Sequence, residues 1–389
     1  MTAIPRPEYP RELEAWWLKF AREKLRVAND TFALRALDAE VAKLSDGFTT
    51  ERTDGFGDYT NDEKSLIAYG LFFFPQTFVR TLFQFDEISN RCEWKPPASK
   101  PLRVCDLGAG TGSAGLAIAS RIANGNDVEL IAIEKSAASL EIAGRIARES
   151  SRLWPRLKFS TRCEDVAGAV KNLDRCDLIV ASFSANEAFH GKADAEFDAW
   201  IIEILSRLSP GGVLLISEPA MKITSERLER LRDRISAEGK MSIIAPCLHH
   251  SACPMLARRG EDFCHEVRWW KPPPSLQSLN SRLFRTIQFL KYSFIAIANV
   301  PPELNEGSAE LSRLVSPMME MKGRVQCDGC AADGAIKRYE VLTRSFATKD
   351  KHAFIKTERG DVVRWENLSL LGDKATHRAE NAAREFGFE

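Results

Sequence analysis

The feature that most constrains the fold is a glycine-rich loop between an apolar run and a helical pattern. The stretch Val104–Gly112 reads VCDLGAGTG, and the helical pattern SAGLAIASRIAN follows it. Glycine residues let the backbone turn sharply and let a ligand approach the main chain closely. The N-terminus of the following helix offers free N–H groups and the positive end of a dipole. The segment therefore predicts a strand, a ligand-binding loop and a helix.

Apolar runs alternate with helical patterns from residue 102 to about residue 242. The runs read LRVCDL, VELIAIE, LKFSTRC, CDLIVASFS and PGGVLLISEP, and helical patterns such as SAASLEIAGRIARES separate them. Strands that alternate with helices indicate parallel βαβ units. We therefore expect an α/β fold built on a doubly wound, Rossmann-like sheet.

Two features of the loop favour S-adenosylmethionine (SAM) as its ligand. Asp106 lies two residues before Gly108, and that glycine comes earlier than a dinucleotide loop requires. The competitor is a dinucleotide, because Gly110-Thr-Gly112-Ser-Ala-Gly115 also satisfies G-x-G-x-x-G. Glu134 ends the second strand, where a carboxylate can hold both ribose hydroxyls of either ligand.

Polar residues also follow the third and fourth strands. Asp165 could reach the adenine amine or could begin a helix. Ser182 lies where ligands bind, at the carboxyl end of a parallel strand. Asn186 and Glu187 could bind the substrate or cap the next helix. The residues predicted to bind SAM are Asp106, Gly108, Gly110, Gly112, Glu134, Asp165 and Ser182.

Three regions are predicted along the chain. Residues 1–95 form an N-terminal helical region, and the proline-rich KPPASKP precedes a SAM-binding, Rossmann-like domain at 96–242. Residues 243–375 form a cysteine-containing, β-rich module, since short runs such as KRYEVLTRS alternate with turns. The tail ENAAREFGFE is polar, and we expect it to fray.

Five of the nine cysteines lie between 247 and 330. Thiolates are soft ligands that suit Zn²⁺ or an iron–sulfur cluster, and buried free thiols are the alternative. Cys327-x2-Cys330 has the spacing of a zinc knuckle, although Asp328-Gly329 could form a simple turn. The other spacings suit a wider cluster better. His249, His250 and His265 are interpreted as neighbours of a metal site rather than ligands.

Composition excludes some classes of function. Lys and Arg number 54, as do Asp and Glu, so no strong basic excess argues for nucleic acid. Uncharged apolar runs of about 18 residues are lacking, and the first residues lack the apolar core of a signal peptide. We therefore expect no membrane span and a cytoplasmic location.

A local nucleic-acid surface is still compatible with this composition. Basic and aromatic side chains around the cysteines could contact phosphates and stack on bases. The alternative is a solvated charged surface above core tryptophans. The residues in question are Arg258, Arg259, Arg268, Arg282, Arg285, Lys291, Trp269 and Trp270.

Several segments together resemble the mitochondrial small-ribosomal-subunit methyltransferase-like family and its bacterial relatives. The segments, in chain order, are AYGLFFFPQTF, DLGAGTG, DLIVASFSANEA, ISEPA, PCLHHSACP, DFCHEV, LKYSFIAIA and GRVQCDGCAADGAIKRYEVLTRS. They resemble, among other family motifs, Y-x-x-x-R-F-P, V-E-P-G, P-C-P-H-x-x-x-C-P and D-W-C-H-F.

The resemblance implies a class I SAM-dependent methyltransferase that associates with the small ribosomal subunit and its rRNA during assembly. It also implies a [4Fe–4S] site with Cys247, Cys253, Cys264 and Cys330 as ligands and Cys327 as a neighbour. Zinc is the alternative metal, since four-thiolate sites serve both. Two other functions stay open: methylation of a small molecule or protein, and a non-catalytic role in assembly or redox sensing.

Overall fold

A computed structural model describes residues 4–49, 62–258, 262–283, 287–303, 307–372 and 375–389. Two of the predicted RNA contacts, Arg259 and Arg285, lie outside these described residues.

Three helices precede the central sheet: α1 (Arg11–Leu25), α2 (Asp30–Thr49) and α3 (Glu63–Asn90). Asp62 caps α3, and its carboxylate accepts the Ser65 backbone N–H at 2.8 Å. Trp17 of α1 lies against Gly70 of α3, where an added Cβ would come within 2.1 Å of the indole ring. Glycine at this position therefore permits the close packing of α1 on α3.

Helix α3 is the one helix, among the residues that the structure describes, with the length and hydropathy to span a membrane. Its most apolar 18-residue stretch has a mean hydropathy of 1.3, and 83% of that stretch is buried inside the fold. Such burial is what the core helix of a globular protein shows. Its apolar residues pack against the central sheet and the other helices.

Eight strands form the central sheet in the described part of the chain. Its order is β3-β2-β1-β4-β5-β8-β6, and β7 also pairs with β8. Strands β1 to β5 are parallel, whereas β8 is antiparallel to β5, β6 and β7. The strands are β1 (Leu102–Leu107), β2 (Val128–Glu134), β3 (Leu157–Cys163), β4 (Cys176–Ser182), β5 (Leu208–Pro219), β6 (Ser242–Ala245), β7 (Glu266–Trp269) and β8 (Phe289–Ala298).

Helices connect the parallel strands and cover the sheet, which confirms the predicted α/β architecture. The central strands β1, β4 and β5 are buried along most of their length, as expected for a sheet covered on both faces, whereas the edge strand β3 is largely exposed. The helices are α4 (Ser113–Ile122), α5 (Ala137–Glu149), α6 (Val166–Ala169), α7 (Ala185–Ala188), α8 (Asp194–Ser206), α9 (Lys222–Glu238), α10 (Pro254–Ala257) and α11 (Pro274–Arg282).

The central sheet takes strands from both sides of the predicted boundary at residue 243. Strands β7 and β8 come from the later region, and β8 pairs with β5 over Val213–Pro219. The division into regions 96–242 and 243–375 stays a prediction. The later region nevertheless contributes strands to the central sheet, next to β5.

A second sheet follows, in the order β14-β15-β12-β11-β9-β13-β16, with β10 beside β11. Tyr339 and Trp365 stack in its core, with ring centroids 4.5 Å apart. The predicted β-rich module is therefore present. Its elements are β9 (Leu311–Leu314), β10 (Met319–Met321), β11 (Arg324–Ala331), β12 (Ile336–Leu342), α12 (Thr348–Ile355), β13 (Val362–Glu366), β14 (Ser369–Leu370), β15 (Thr376–Ala379) and β16 (Asn381–Phe386).

The expectation of a frayed tail was wrong. Residues Asn381–Phe386 form β16, which pairs with β13. Phe388 is 1% exposed, and its ring lies edge-on to Phe83 of α3 at 4.7 Å between centroids. Two aromatic side chains in a polar segment bury enough apolar surface to order it.

A buried network of ion pairs joins α3 to both sheets. Arg313 of β9 donates to Glu87 at 2.7 and 3.0 Å and to Glu266 at 2.7 and 3.0 Å. Arg268 pairs with Glu266 at 2.8 Å and with Asp361. Arg268 is 1% exposed, so its predicted contact with RNA was wrong: its guanidinium is used inside the protein.

Candidate functional site

A pocket of about 590 Å³ lies at the carboxyl ends of the central strands. Loops after β1, β2, β3, β4 and β5 line it, and residues of α3 line it as well. This edge of a parallel sheet is where open α/β folds bind ligands. The pocket is large enough for a nucleoside-sized ligand.

The glycine loop forms one wall of the pocket. Gly108 and Gly110 have φ angles of +72° and +52°, which side-chain-bearing residues rarely adopt. A Cβ on Gly108 would lie 2.3 Å from the Cβ of Ser184, so this glycine permits close packing of two loops. A Cβ on Gly110 would meet nothing within 4 Å. Gly110 therefore leaves open space that a ligand can occupy.

Glu134 lies in the pocket beside this loop. One carboxylate oxygen accepts the Gly110 N–H at 3.1 Å, and the other accepts the Ser136 N–H at 3.0 Å. These two bonds hold the carboxylate in place. Each oxygen keeps a further lone pair, so the carboxylate can also accept ribose hydroxyls.

Asp106 lies behind the loop rather than in the pocket wall. It is 1% exposed, and it accepts the Gly115 N–H at 2.7 Å, which ties β1 to the start of α4. Burial raises the pKa of this carboxyl to about 7, and Glu134 adds to the rise. Gly112, the N-cap of α4, is also outside the pocket wall. Both residues support the loop from behind.

Asp165 and Ser182 line the pocket, as Gly108, Gly110 and Glu134 do. Asp165 also caps α6, where it accepts the Ala167 N–H at 2.9 Å. The Ser182 hydroxyl is buried and has no hydrogen-bond partner in the described part of the chain. The structure thus brings five of the seven predicted residues into one pocket, and their roles as SAM ligands stay predictions.

Helix α3 contributes pocket residues that the glycine motif did not reveal. Tyr69, Gln76 and Arg80 line the pocket. Arg80 was not among the residues predicted from the sequence. The signal was available, because Arg80 is the lone charged residue between Lys64 and Asp86 in an otherwise apolar and polar-neutral stretch.

Arg80 is a cation set among uncharged groups. It donates to the side-chain oxygen of Gln76 at 3.2 Å, and its guanidinium carbon lies 5.0 Å from the ring centroid of Phe183. Burial lowers the pKa of Arg80 to about 10. No carboxylate pairs with Arg80 in the described ranges, so an anionic ligand group would be stabilised beside it.

Phe183, whose ring contacts the Arg80 guanidinium, has a strained backbone. Its φ is +59°, in the left-handed region that a bulky side chain rarely adopts. Its N–H donates to the Ser217 carbonyl at 2.7 Å, which holds this conformation. Such strain is concentrated at functional sites, because the surrounding fold must stabilise it.

A second place of interest gathers the predicted metal ligands. Cys247, Cys253 and Cys264 line one cavity of about 40 Å³. Cys264 and Cys330 pack against the buried group that contains Cys253. Four cysteines from separate chain segments therefore meet in one location.

The surroundings of these thiols oppose their ionisation. Burial, and after it the neighbouring Cys247, raise the pKa of Cys253 to about 12. Burial and the same neighbour also raise the pKa of Cys264 and of Cys330. A bound cation would favour the thiolate forms, because metal binding displaces thiol protons.

Cys327 and Cys330 lie on opposite faces of β11. Alternate side chains of a strand point in opposite directions, so residues three apart do not share a face. Cys327 is fully buried in the core of the second sheet, whereas Cys330 faces the other cysteines. The zinc-knuckle alternative for this pair was therefore wrong: the segment is a continuous strand rather than a turn.

Within the described ranges, no group of three or more His, Cys, Asp or Glu residues has the arrangement of a metal-ion site. Sulfurs bound to a single Zn²⁺ at about 2.3 Å lie within about 4 Å of one another. The four cysteines are thus gathered in one location without forming such a metal-ion site in the described ranges. His249 lies against them, with its Nε2 3.4 Å from the Cys330 sulfur.

The predicted RNA contacts divide into buried and accessible residues. Trp270 is 1% exposed and donates to the Ile287 carbonyl, so its predicted stacking role was wrong. Trp269 is 39% exposed, and Lys291 lines the pocket. Arg282 lies 3.3 Å from Asp38, and Arg258 is surface-exposed. Contacts by these last four residues stay predictions.

The sheet order and the ligand pocket together define a class I methyltransferase-like α/β protein. An antiparallel strand, β8, lies between β5 and β6, which distinguishes this sheet from the dinucleotide-binding order 3-2-1-4-5-6. The family described as mitochondrial small ribosomal subunit Rsm22 matches residues 63–373. The chain belongs to the Rsm22 family.

Solved structures with related folds are distant in sequence. A proposed class I SAM-dependent methyltransferase from Listeria monocytogenes is 11% identical, with a TM-score of 0.40 over 76% of this chain and 90% of that one. Precorrin-6y C5,15-methyltransferase from Geobacter metallireducens is 10% identical, with a TM-score of 0.34 over 58% and 89%. Monomeric WbdD is 17% identical, with a TM-score of 0.28 over 36% of this chain and 30% of WbdD. No curated protein matches the chain.

Proposed function

We propose that this protein is a SAM-dependent methyltransferase that acts on RNA of the small ribosomal subunit. The observation that carries the proposal is the open space at Gly110, next to a carboxylate that the same loop holds in place. The glycine loop leaves space for a ligand, and a carboxylate is fixed at the end of the neighbouring strand. This arrangement suits a nucleoside that carries an amino acid.

The residues present fit SAM without rearrangement of the pocket wall. Glu134 would accept the ribose hydroxyls, and Asp165 would accept the adenine amine. The unpartnered Ser182 hydroxyl would bind the amino-acid end. SAM supplies an electrophilic methyl group, so the protein mainly needs to position an acceptor in line with it.

The family description supports the RNA part of the proposal, since it names the mitochondrial small ribosomal subunit. Three accessible residues at or beside the pocket also support it. Trp269 pairs in register with Phe289, which is 51% exposed and lines the pocket, and Lys291 lies two residues further along β8. Exposed aromatic rings beside a cation are suited to single-stranded RNA.

Incubation of the protein with small ribosomal subunits and methyl-labelled SAM tests this function. We expect label in the RNA, and we expect binding to that RNA to weaken as salt rises, because phosphate contacts release counterions. Label in a protein or a small molecule would contradict the RNA assignment. Absence of any transfer, with SAM still bound, would favour a non-catalytic assembly role.

We further propose that Cys247, Cys253, Cys264 and Cys330 hold a [4Fe–4S] cluster. Their convergence from separate segments of the chain supports it. Arg232, 2% exposed, lies beside Cys247 and would offset the negative charge of the thiolates. Such a cluster would link β11 of the second sheet to segments around the first.

Anaerobic purification with iron and sulfide analysis tests the cluster. We expect about four iron and four sulfide ions per chain and a broad visible absorbance. Cys253→Ser should lose most of this iron, whereas Cys163→Ser should keep it, because Cys163 is exposed and lies apart at the end of β3. Colourless protein loaded with zinc would overturn the assignment.

A further inference from the structure

The pocket has two sides with different lining. The strands β3-β2-β1-β4-β5 span about 19 Å at their usual spacing. Gly110, Glu134 and Asp165 follow β1, β2 and β3, so SAM would occupy that side. Asn186 and Pro219 follow β4 and β5, on the side that is left for the methyl acceptor.

Asn186 presents an unsatisfied hydrogen-bond acceptor on this side. Its backbone N–H donates to Glu218 at 3.1 Å, which fixes the residue at the start of α7. The side chain lines the pocket and is 7% exposed, and its Oδ1 has no hydrogen-bond partner in the part of the chain that the structure describes. Buried amide oxygens are normally paired, so a ligand N–H would stabilise this one.

The same side of the pocket has two cations and two aromatic rings, together with the acidic Glu187. Arg80 has an unpartnered Nε atom, and Lys291 also lines the pocket. The Phe183 ring contacts the Arg80 guanidinium, and Phe289 is a further lining residue. Guanidinium groups bind phosphate, and aromatic rings stack on bases, so this lining fits a nucleotide.

We propose that the methyl acceptor is an exocyclic amino nitrogen of a nucleobase, held by Asn186 Oδ1, with Arg80 binding its phosphate. This inference rests on the proposed RNA-directed function and names the acceptor atom. In the orientation that the structure gives the Asn186 amide, an amino group donates to Oδ1, whereas a ring carbonyl in the same place would set two acceptors against each other. The site therefore favours cytosine or adenine over uracil or hypoxanthine.

The transfer balances with the groups present. The amino nitrogen uses its lone pair to form a bond with the methyl carbon, while the carbon–sulfur bond breaks and its electron pair stays on sulfur. The nitrogen then carries one proton too many. Asn186 cannot accept it, because an amide is not a base at neutral pH, so the proton leaves to water. The hydrogen bond to Oδ1 directs the lone pair toward the methyl group.

Binding of nucleoside monophosphates tests this inference without requiring turnover. With S-adenosylhomocysteine filling the cofactor side, affinity is measured by titration calorimetry for CMP against UMP and for AMP against IMP. Within each pair an amino group is replaced by a carbonyl, and the adjacent ring nitrogen changes from an acceptor to an N–H donor. We expect the amino member of at least one pair to bind about tenfold more tightly or better, because the carbonyl leaves Asn186 unpaired.

Two variants separate the contribution of Asn186 to nucleotide binding from that of Arg80. Asn186→Leu should lose the preference within that pair, while Arg80→Gln should weaken both members alike. Unchanged S-adenosylhomocysteine affinity in each variant shows that the pocket is intact. Equal binding within both pairs, a preference that survives in Asn186→Leu, or no nucleotide binding at millimolar concentration would overturn the inference. If the wild-type protein fails to bind SAM, the proposed function fails as well; if only the preference is lacking, that function stands.

Discussion

Replacing Gly110 by leucine is expected to reduce the affinity for SAM by about 100-fold or more while the protein remains folded. The wild-type residue has a φ of +52°, and the position of its missing Cβ faces open pocket space. A leucine side chain would occupy the space that the ligand needs. It would also strain the loop, since left-handed backbone costs a side-chain-bearing residue about 1–2 kcal/mol.

Titration calorimetry with SAM measures this effect, and Gly323→Leu is the matched control. Gly323 has a φ of +78° and equally open surroundings, but it lies in the turn between β10 and β11. The control carries similar backbone strain and should bind SAM normally. Wild-type protein should bind SAM and not NAD; binding of NAD alone would defeat the methyltransferase assignment.

Replacing Arg313 by leucine is expected to lower the free energy of unfolding by about 3–5 kcal/mol. Arg313 is buried between the carboxylates of Glu87 and Glu266, and its removal leaves buried negative charge without this partner. Because the three residues belong to β9, α3 and β7, the loss weakens the contact between the two sheets and the helix. Urea unfolding monitored by tryptophan fluorescence measures the change.

Arg364→Leu provides the control for this prediction. Arg364 pairs with Glu385 at 3.1 Å on the surface, with side chains 47% and 40% exposed, so its loss should change stability by less than about 1 kcal/mol. A similar small effect in Arg313→Leu would show that the buried network contributes little.

The loss of unfolding free energy in Arg313→Leu should also depend on pH. In the wild-type protein burial raises the pKa of Glu87, but Arg313 and Arg91 outweigh it and hold the pKa at about 2. A depressed carboxyl pKa stabilises the fold above its unfolded value near 4.5, and this stabilisation is lost as pH falls toward 2. Without Arg313 burial weighs more heavily on Glu87, so the difference in unfolding free energy between the two proteins should shrink as pH falls from about 4.5 toward 2, where Glu87 becomes protonated in the wild-type protein.

The sequence predicted the sheet and the ligand loop because both depend on local pattern. Apolar runs separated by helical segments identify parallel strands, and glycines after the first strand identify the turn. Glu134 and Ser182 were predicted for the same reason, since each ends a strand. Asp106 follows this pattern too, but its carboxylate points behind the loop to Gly115, which strand position alone does not reveal.

Residues that depend on distant packing were the ones the pattern missed or misassigned. Arg80 comes to the pocket from a helix that precedes the sheet in the chain. Arg268 looked like a surface cation, yet Glu266 and Asp361 enclose it. The tail looked disordered by composition, but Phe388 finds an apolar site on α3. In each case the contacting residue is far away in sequence, so the pattern of a short segment cannot predict the contact.

The amino-acid sequence alone determined the class of fold, the glycine loop that forms one wall of the pocket and the set of cysteines worth considering. These features arise from periodicity and from the conformational freedom of glycine, which are properties of short segments. The tertiary structure decided which side chains share the pocket, which charges are buried in pairs, and that Cys330 rather than Cys327 faces the other three cysteines. Those outcomes depend on which distant segments pack together, and burial then sets whether a charged or polar group can serve a ligand or must be satisfied within the protein.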